Sequence, residues 1–143
     1  MGTNIACLDE EQGKILVALL NLLIPPDIEM PGAGEVFIAE NEPAWLLDVL
    51  SFIGQEAQSQ FGLEFPSLSV AEQAKLVGQF KRKDFRLFNK LVTEVMQCYY
   101  QNGKVLKAIR METRPPFPDG YFVPDGDFAL LEPVFERSKM YRS

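Results

Sequence analysis

The sequence predicts an all-α protein, a compact bundle of about five helices followed by an extended, proline-rich C-terminal segment. Three observations predict it. Apolar residues recur at helical spacing in four long stretches. Each stretch carries a helix-boundary signal at one end or both. Strand-like alternation is nearly absent. A chain of 143 residues is about one domain. The helical core is expected over about residues 8–111, and a Pro- and aromatic-rich tail over about 112–143.

The first helix is expected over residues 8–23. Asp9 suits the N-cap, and Gln12, three positions on, closes a capping box. Glu10 and Glu11 favour the positive helix start. Ile15, Leu16, Leu19, Leu20 and Leu23 repeat at helical spacing, and Pro25-Pro26 stops the helix. Residues 27–34, with two glycines and a proline, read as a loop. That loop has no lysine of the P-loop kind and no preceding strand, so it reads as a turn rather than a phosphate cradle. Residues 36–39 are ambiguous, and a helical turn suits them. A second helix is expected from Pro43 to about Gln60, apolar over much of its circumference, with Trp45 in the core and Gly62 as its stop.

Ser69-Val70-Ala71-Glu72 is a capping box and opens the third helix, which carries Leu76, Val77 and Phe80. The fourth runs from about Asp84 to Gln101. Its apolar stripe is Phe85, Phe88, Leu91, Val92, Val95, Met96 and Tyr99, and Asn102-Gly103 closes it. A short fifth helix covers about residues 105–110. Residues 114–121 contain three prolines and read as extended chain. A last short helix is expected within residues 127–139, interrupted or started near Pro133.

Composition excludes several functions. Hydrophobic residues make up 47% of the chain and charged residues 24%, values of a globular protein rather than a disordered one. The net charge of -6 opposes binding to nucleic acid, whose recognition needs a basic patch. Lys81-Arg82-Lys83, followed by Asp84, reads as a solvated helix start or turn rather than a phosphate site. There is no histidine, which removes the commonest general base and metal ligand and rules out Ser-His and Cys-His nucleophilic pairs. Cys7 and Cys98 could form one disulfide, but their settings favour two separate thiols. No apolar run approaches the roughly 20 residues of a membrane span, so no direct membrane insertion is expected. The acidic stretch at residues 9–11 is unlike a signal peptide. As written the chain is expected in the cytoplasm.

The carboxylates read as structural. Asp9, Glu10 and Glu11 serve a helix start, and Asp125 and Asp127 lack the rest of a calcium loop. The aromatic residues carry more. Tyr99 and Tyr100 end the fourth helix, and Phe117, Tyr121 and Phe122 populate the tail. Adjacent aromatics cannot all enter one core, so either the tail wraps its own helices or these five residues face a partner.

Three stretches together resemble the small-subunit family of gluconate 2-dehydrogenase, often called subunit 3. They are Leu22-Leu23-Ile24-Pro25-Pro26-Asp27 with Met30-Pro31-Gly32-Ala33, then Phe88 through Thr93-Glu94 to Tyr99-Tyr100-Gln101-Asn102, and Pro115-Pro116-Phe117-Pro118-Asp119-Gly120. Leu68-Ser69 with Glu72-Gln73 matches the family's third-helix start, and Cys98 stands where many members have glycine. The resemblance implies a non-catalytic accessory subunit of an oxidoreductase complex. Its partner would be a large FAD-dependent sugar or alcohol dehydrogenase, often joined by a cytochrome c subunit. The small subunit would assist folding, maturation or assembly in a chaperone-like way. FAD and haem c would sit on the partners, with no cofactor or metal on this chain and no catalytic residue carried over. Export to the periplasm would then follow a partner's signal. Two other classes stay open: a stand-alone helical binding module or homodimeric regulator, and a small-ligand or enzyme domain built on tyrosines and carboxylates.

Overall fold

A computed structural model describes residues 8–37, 44–114, 117–118, 120, 122 and 124–138. Among these the protein is all-α, with no strand. The chain divides into two units, Met1–Thr113 and Arg114–Ser143.

The first unit holds the long helices. Helix α1 spans Glu10–Leu23. The Asp9 carboxylate accepts from the Gln12 amide at 2.7 Å, and Gln12 accepts in return from the Asp9 amide at 3.4 Å. This is the expected capping box, and it satisfies N–H groups that the first turn leaves without helical partners. One helical turn, α2, covers Ala33–Val36. It begins earlier than the turn expected at residues 36–39 and takes in the end of the expected loop. Residues 38 and 39 lie outside the described residues, as does Pro43.

Helix α3 covers Ala44–Phe61. Gly62 ends it at φ +68°, a conformation that side chains with a Cβ resist. A 3-10 turn at Phe65–Ser67 leads to α4, Val70–Lys83. Ser69 caps α4, and the Ser69 and Glu72 side chains reach each other's backbone amides. Asp84 then ends α4 and caps α5, Phe85–Gln101, by accepting from the Leu87 amide at 2.9 Å. Helix α6 covers Gly103–Ala108. Asn102-Gly103 therefore does more than close the fourth helix. The Asn102 side chain accepts from the Lys104 amide at 2.9 Å and starts the next one.

The core is one cluster drawn from all of these elements. Leu16, Leu19 and Leu20 of α1 meet Leu46, Val49, Leu50 and Ile53 of α3, and Leu76 and Phe80 of α4 join Leu91 and Val95 of α5. Each such side chain contributes roughly 1.5–3 kcal/mol through burial. Trp45 is half-buried against this cluster, with the Lys90 ammonium 5.0 Å from its ring centre. Gln73 is a buried polar residue among them, and its side-chain amide donates to the Phe65 carbonyl at 3.0 Å. That bond pins the 3-10 turn to α4.

The second unit has a different character. It forms a 3-10 turn at Phe128–Leu131 and one helical turn, α7, at Glu132–Phe135. Asp127 caps the first by accepting from the Ala129 amide at 3.1 Å. Pro133 lies in the first turn of α7, where its missing N–H costs nothing. No described residue of this unit is buried.

Candidate partner interface

The five aromatic residues expected at a partner surface differ in their surroundings. Tyr99 belongs to the core, at 2% exposure. This corrects its place in the expected surface. It lies on the ridge of α5 formed by Leu91, Val95 and Tyr99, four residues apart and all buried. Its hydroxyl donates to the Pro31 carbonyl at 2.8 Å. Burial, and then the neighbouring Tyr100, raise its pKa above the ordinary phenol value, so the ring stays protonated and able to donate.

That bond is one part of a knot that explains the Ile24–Ala33 stretch. The Ala33 amide donates to the Ile24 carbonyl at 3.0 Å, and the Asp27 amide to the Met30 carbonyl at 2.9 Å. The Asn21 side chain accepts from the Gly34 amide at 3.0 Å. A Cβ on Gly32 would lie 2.6 Å from the same Asn21 oxygen and 3.0 Å from Pro26. Glycine suits this position because a Cβ would force the Asn21 side chain and Pro26 to shift. Proline, glycine, asparagine and tyrosine thus hold a tight return of the chain against α1 and α5. Sequence reasoning missed Asn21 as a member of the knot. The signal was its position on α1 directly before the proline-glycine loop that its amide must satisfy.

Tyr100 lies one residue further round α5 and is 47% exposed. Its ring meets that of Tyr99 edge-on, with centres 5.3 Å apart. It continues a second ridge, Phe88, Val92 and Met96, whose members are half-buried or exposed. In the second unit Phe117 is 84% exposed and Phe122 is 91% exposed. Tyr121 lies outside the described residues. Phe128, Leu130, Leu131, Val134 and Phe135 are exposed as well. This is more apolar surface in one short stretch than isolated exposed residues account for.

An open groove of about 500 Å³ runs along α1 between Leu8, Lys14, Val17 and Pro66. Lys14 and Glu10 at its side pair with each other at 2.7 Å and are solvated. Their hydrogen bond lowers the glutamate pKa and raises that of the lysine. Among the described residues no group of three or more Cys, Asp or Glu side chains could hold a metal ion. None of the described helices is long and apolar enough to cross a membrane. Cys98 is half-buried on α5 against the core, and Cys7 lies outside the described residues.

No protein-family model, no curated protein and no solved structure matches the chain. The chain has a helical unit with one continuous core, and a second unit whose described residues display aromatic and aliphatic side chains.

Proposed function

We propose that this protein is a non-catalytic accessory subunit that binds a large FAD-dependent sugar or alcohol dehydrogenase and assists its folding, maturation or assembly. The observation that carries the reading is the display of Phe117, Phe122, Phe128, Leu130 and Phe135 on a unit with no buried described residue. A segment of this composition gains stability by covering those side chains on another protein. The resemblance to the small subunit of gluconate 2-dehydrogenase supplies the kind of partner. Flavin, and haem c where a cytochrome subunit is present, belong to the partners. The chain acts where its partner is folded, in the cytoplasm or, carried on the partner's export signal, in the periplasm.

The proposed contact residues are Tyr100 on the first unit and, on the second, Phe117 and Phe122 together with Tyr121. Aromatic anchors of this kind usually cost about 2 kcal/mol or more each when truncated in an interface. Tyr100→Ala, Phe117→Ala and Phe122→Ala are expected to weaken capture of the flavoprotein at least tenfold in combination. The circular dichroism of the isolated chain should stay unchanged, and its melting temperature should fall only by the few degrees that the lost edge-on contact of Tyr100 with Tyr99 costs. Normal capture by the triple variant would rule this surface out.

A further inference from the structure

Residues 81–90 concentrate charge against the balance of the chain. Lys81, Arg82, Lys83, Arg86 and Lys90 face one acidic residue, Asp84, in a protein of net charge -6. All five cations are exposed, and none forms an ion pair among the described residues. The Asp84 carboxylate is already engaged as the N-cap of α5. Below the cations lies an aromatic floor. Lys83 sits 4.3 Å from the ring centre of Phe52, and Lys81 5.5 Å from that of Phe88. Phe52 and Phe88 both pack on Phe80, at 5.4 and 6.3 Å. Phe85 is exposed beside them. The corner between α4 and α5 is thus a partly apolar surface rimmed by positive charge that has no ion-pair partner among the described residues.

The sequence holds a segment of opposite charge and like polarity. Residues 125–136 contain Asp125, Asp127, Glu132 and Glu136 and no cation. Phe128, Leu131 and Phe135 recur there at helical spacing and are exposed. Acidic groups flanking apolar anchors are what a basic, aromatic corner accepts.

We propose that residues 125–136 of one copy dock on the α4–α5 corner of a second copy, and the reverse, forming a reciprocal dimer. Two identical contacts related by a two-fold axis close the assembly, so it stops at two copies. The contact relieves the mutual repulsion of five cations and covers apolar side chains that are otherwise in water. It does not rest on the flavoprotein reading, but it uses Phe128 and Phe135, which that reading also counts as exposed; the two are told apart because sedimentation of the chain alone reads the dimer and co-purification with flavin reads the partner.

The test is sedimentation equilibrium of the full chain. The wild type is expected to dimerise at low ionic strength, with a dissociation constant at least about tenfold weaker at ~0.5 M salt, because these charges are exposed. Reversing the corner (Lys81→Glu, Lys83→Glu, Arg86→Glu) is expected to weaken the dimer at least about tenfold, and reversing the segment (Asp125→Lys, Glu132→Lys, Glu136→Lys) to do the same. Mixing the two variants restores both contacts and should return a one-to-one dimer. Adding Phe128→Ser and Phe135→Ser to the segment variant should abolish that mixed dimer. Unchanged melting temperatures verify that each variant is folded. A wild type that is monomeric at every salt concentration overturns the proposal. So does a dimer insensitive to both reversals, or two variants that fail to associate when mixed.

Discussion

From inside the core, the Tyr99 hydroxyl reaches the Pro31 carbonyl, while Tyr100 one position later is open to solvent. The difference follows from helical geometry. Tyr99 continues the ridge of Leu91 and Val95, and Tyr100 that of Val92 and Met96. Removing the hydroxyl leaves a carbonyl in the knot without its donor, which costs about 1–2 kcal/mol. Tyr99→Phe should therefore lower the melting temperature by roughly 4–8 °C in differential scanning calorimetry. The raised phenol pKa gives a sign. The folded state keeps this proton longer than the unfolded chain, whose tyrosines ionise near ~10. This share of stability is complete below pH ~10 and is lost as pH rises through the folded pKa. Tyr99→Phe should remove that alkaline loss, read as the slope of unfolding free energy against pH. Gly32 is the second sensitive point. A Cβ there meets both Asn21 and Pro26, whereas at Gly34 it meets the side chain of Asn21 alone. Gly32→Ala should cost more than Gly34→Ala, roughly 2 against 1 kcal/mol by chemical denaturation.

At the scale of elements, local chemistry starts and stops the helices. Ser69 and Glu72 satisfy each other's amides, and the hydroxyl and then the amide of Ser69 hold the Glu72 carboxyl below the usual carboxylate range. Ser69→Ala should cost about 1 kcal/mol. Because the folded pKa of Glu72 is depressed, its contribution is present above the usual carboxylate range. It is lost as pH falls through the folded pKa. In the wild type the stability lost on acidification should exceed that lost in Ser69→Ala, measured by urea unfolding. Two caps were legible in the sequence because each is a contact over three residues, Asp9 with Gln12 and Ser69 with Glu72; Asp84 was read only as the start of the fourth helix, and its bond to the Leu87 amide comes from the structure. The apolar stripes were legible for the same reason, since spacing along the chain fixes which side chains share a face. Pairings distant in sequence were not. Nothing local ties Tyr99 to Pro31, 68 positions away, or places Gly34 under Asn21. The Asn102-Gly103 pair carries both stop and start signals, and only the bond to Lys104 shows that a new helix begins there. For the candidate surface, the aromatic clustering was visible, but which of two adjacent tyrosines faces water depended on the ridge each extends.

On the scale of the whole molecule, the two units differ in what they bury. Every buried residue among the described ones lies between Ile15 and Val105, within Met1–Thr113. The described part of Arg114–Ser143 buries none and displays aromatic side chains beside acidic ones. Under the proposed function the protein contributes surface to an assembly, and the chemistry resides on the chain it binds. The most direct measurement is co-purification of the tagged full chain expressed at its native level, with an absorbance scan for flavin. The account predicts a yellow, stoichiometric complex containing a large oxidoreductase, lost in the Tyr100, Phe117 and Phe122 triple-alanine variant. A colourless preparation of this chain without a flavoprotein would contradict it.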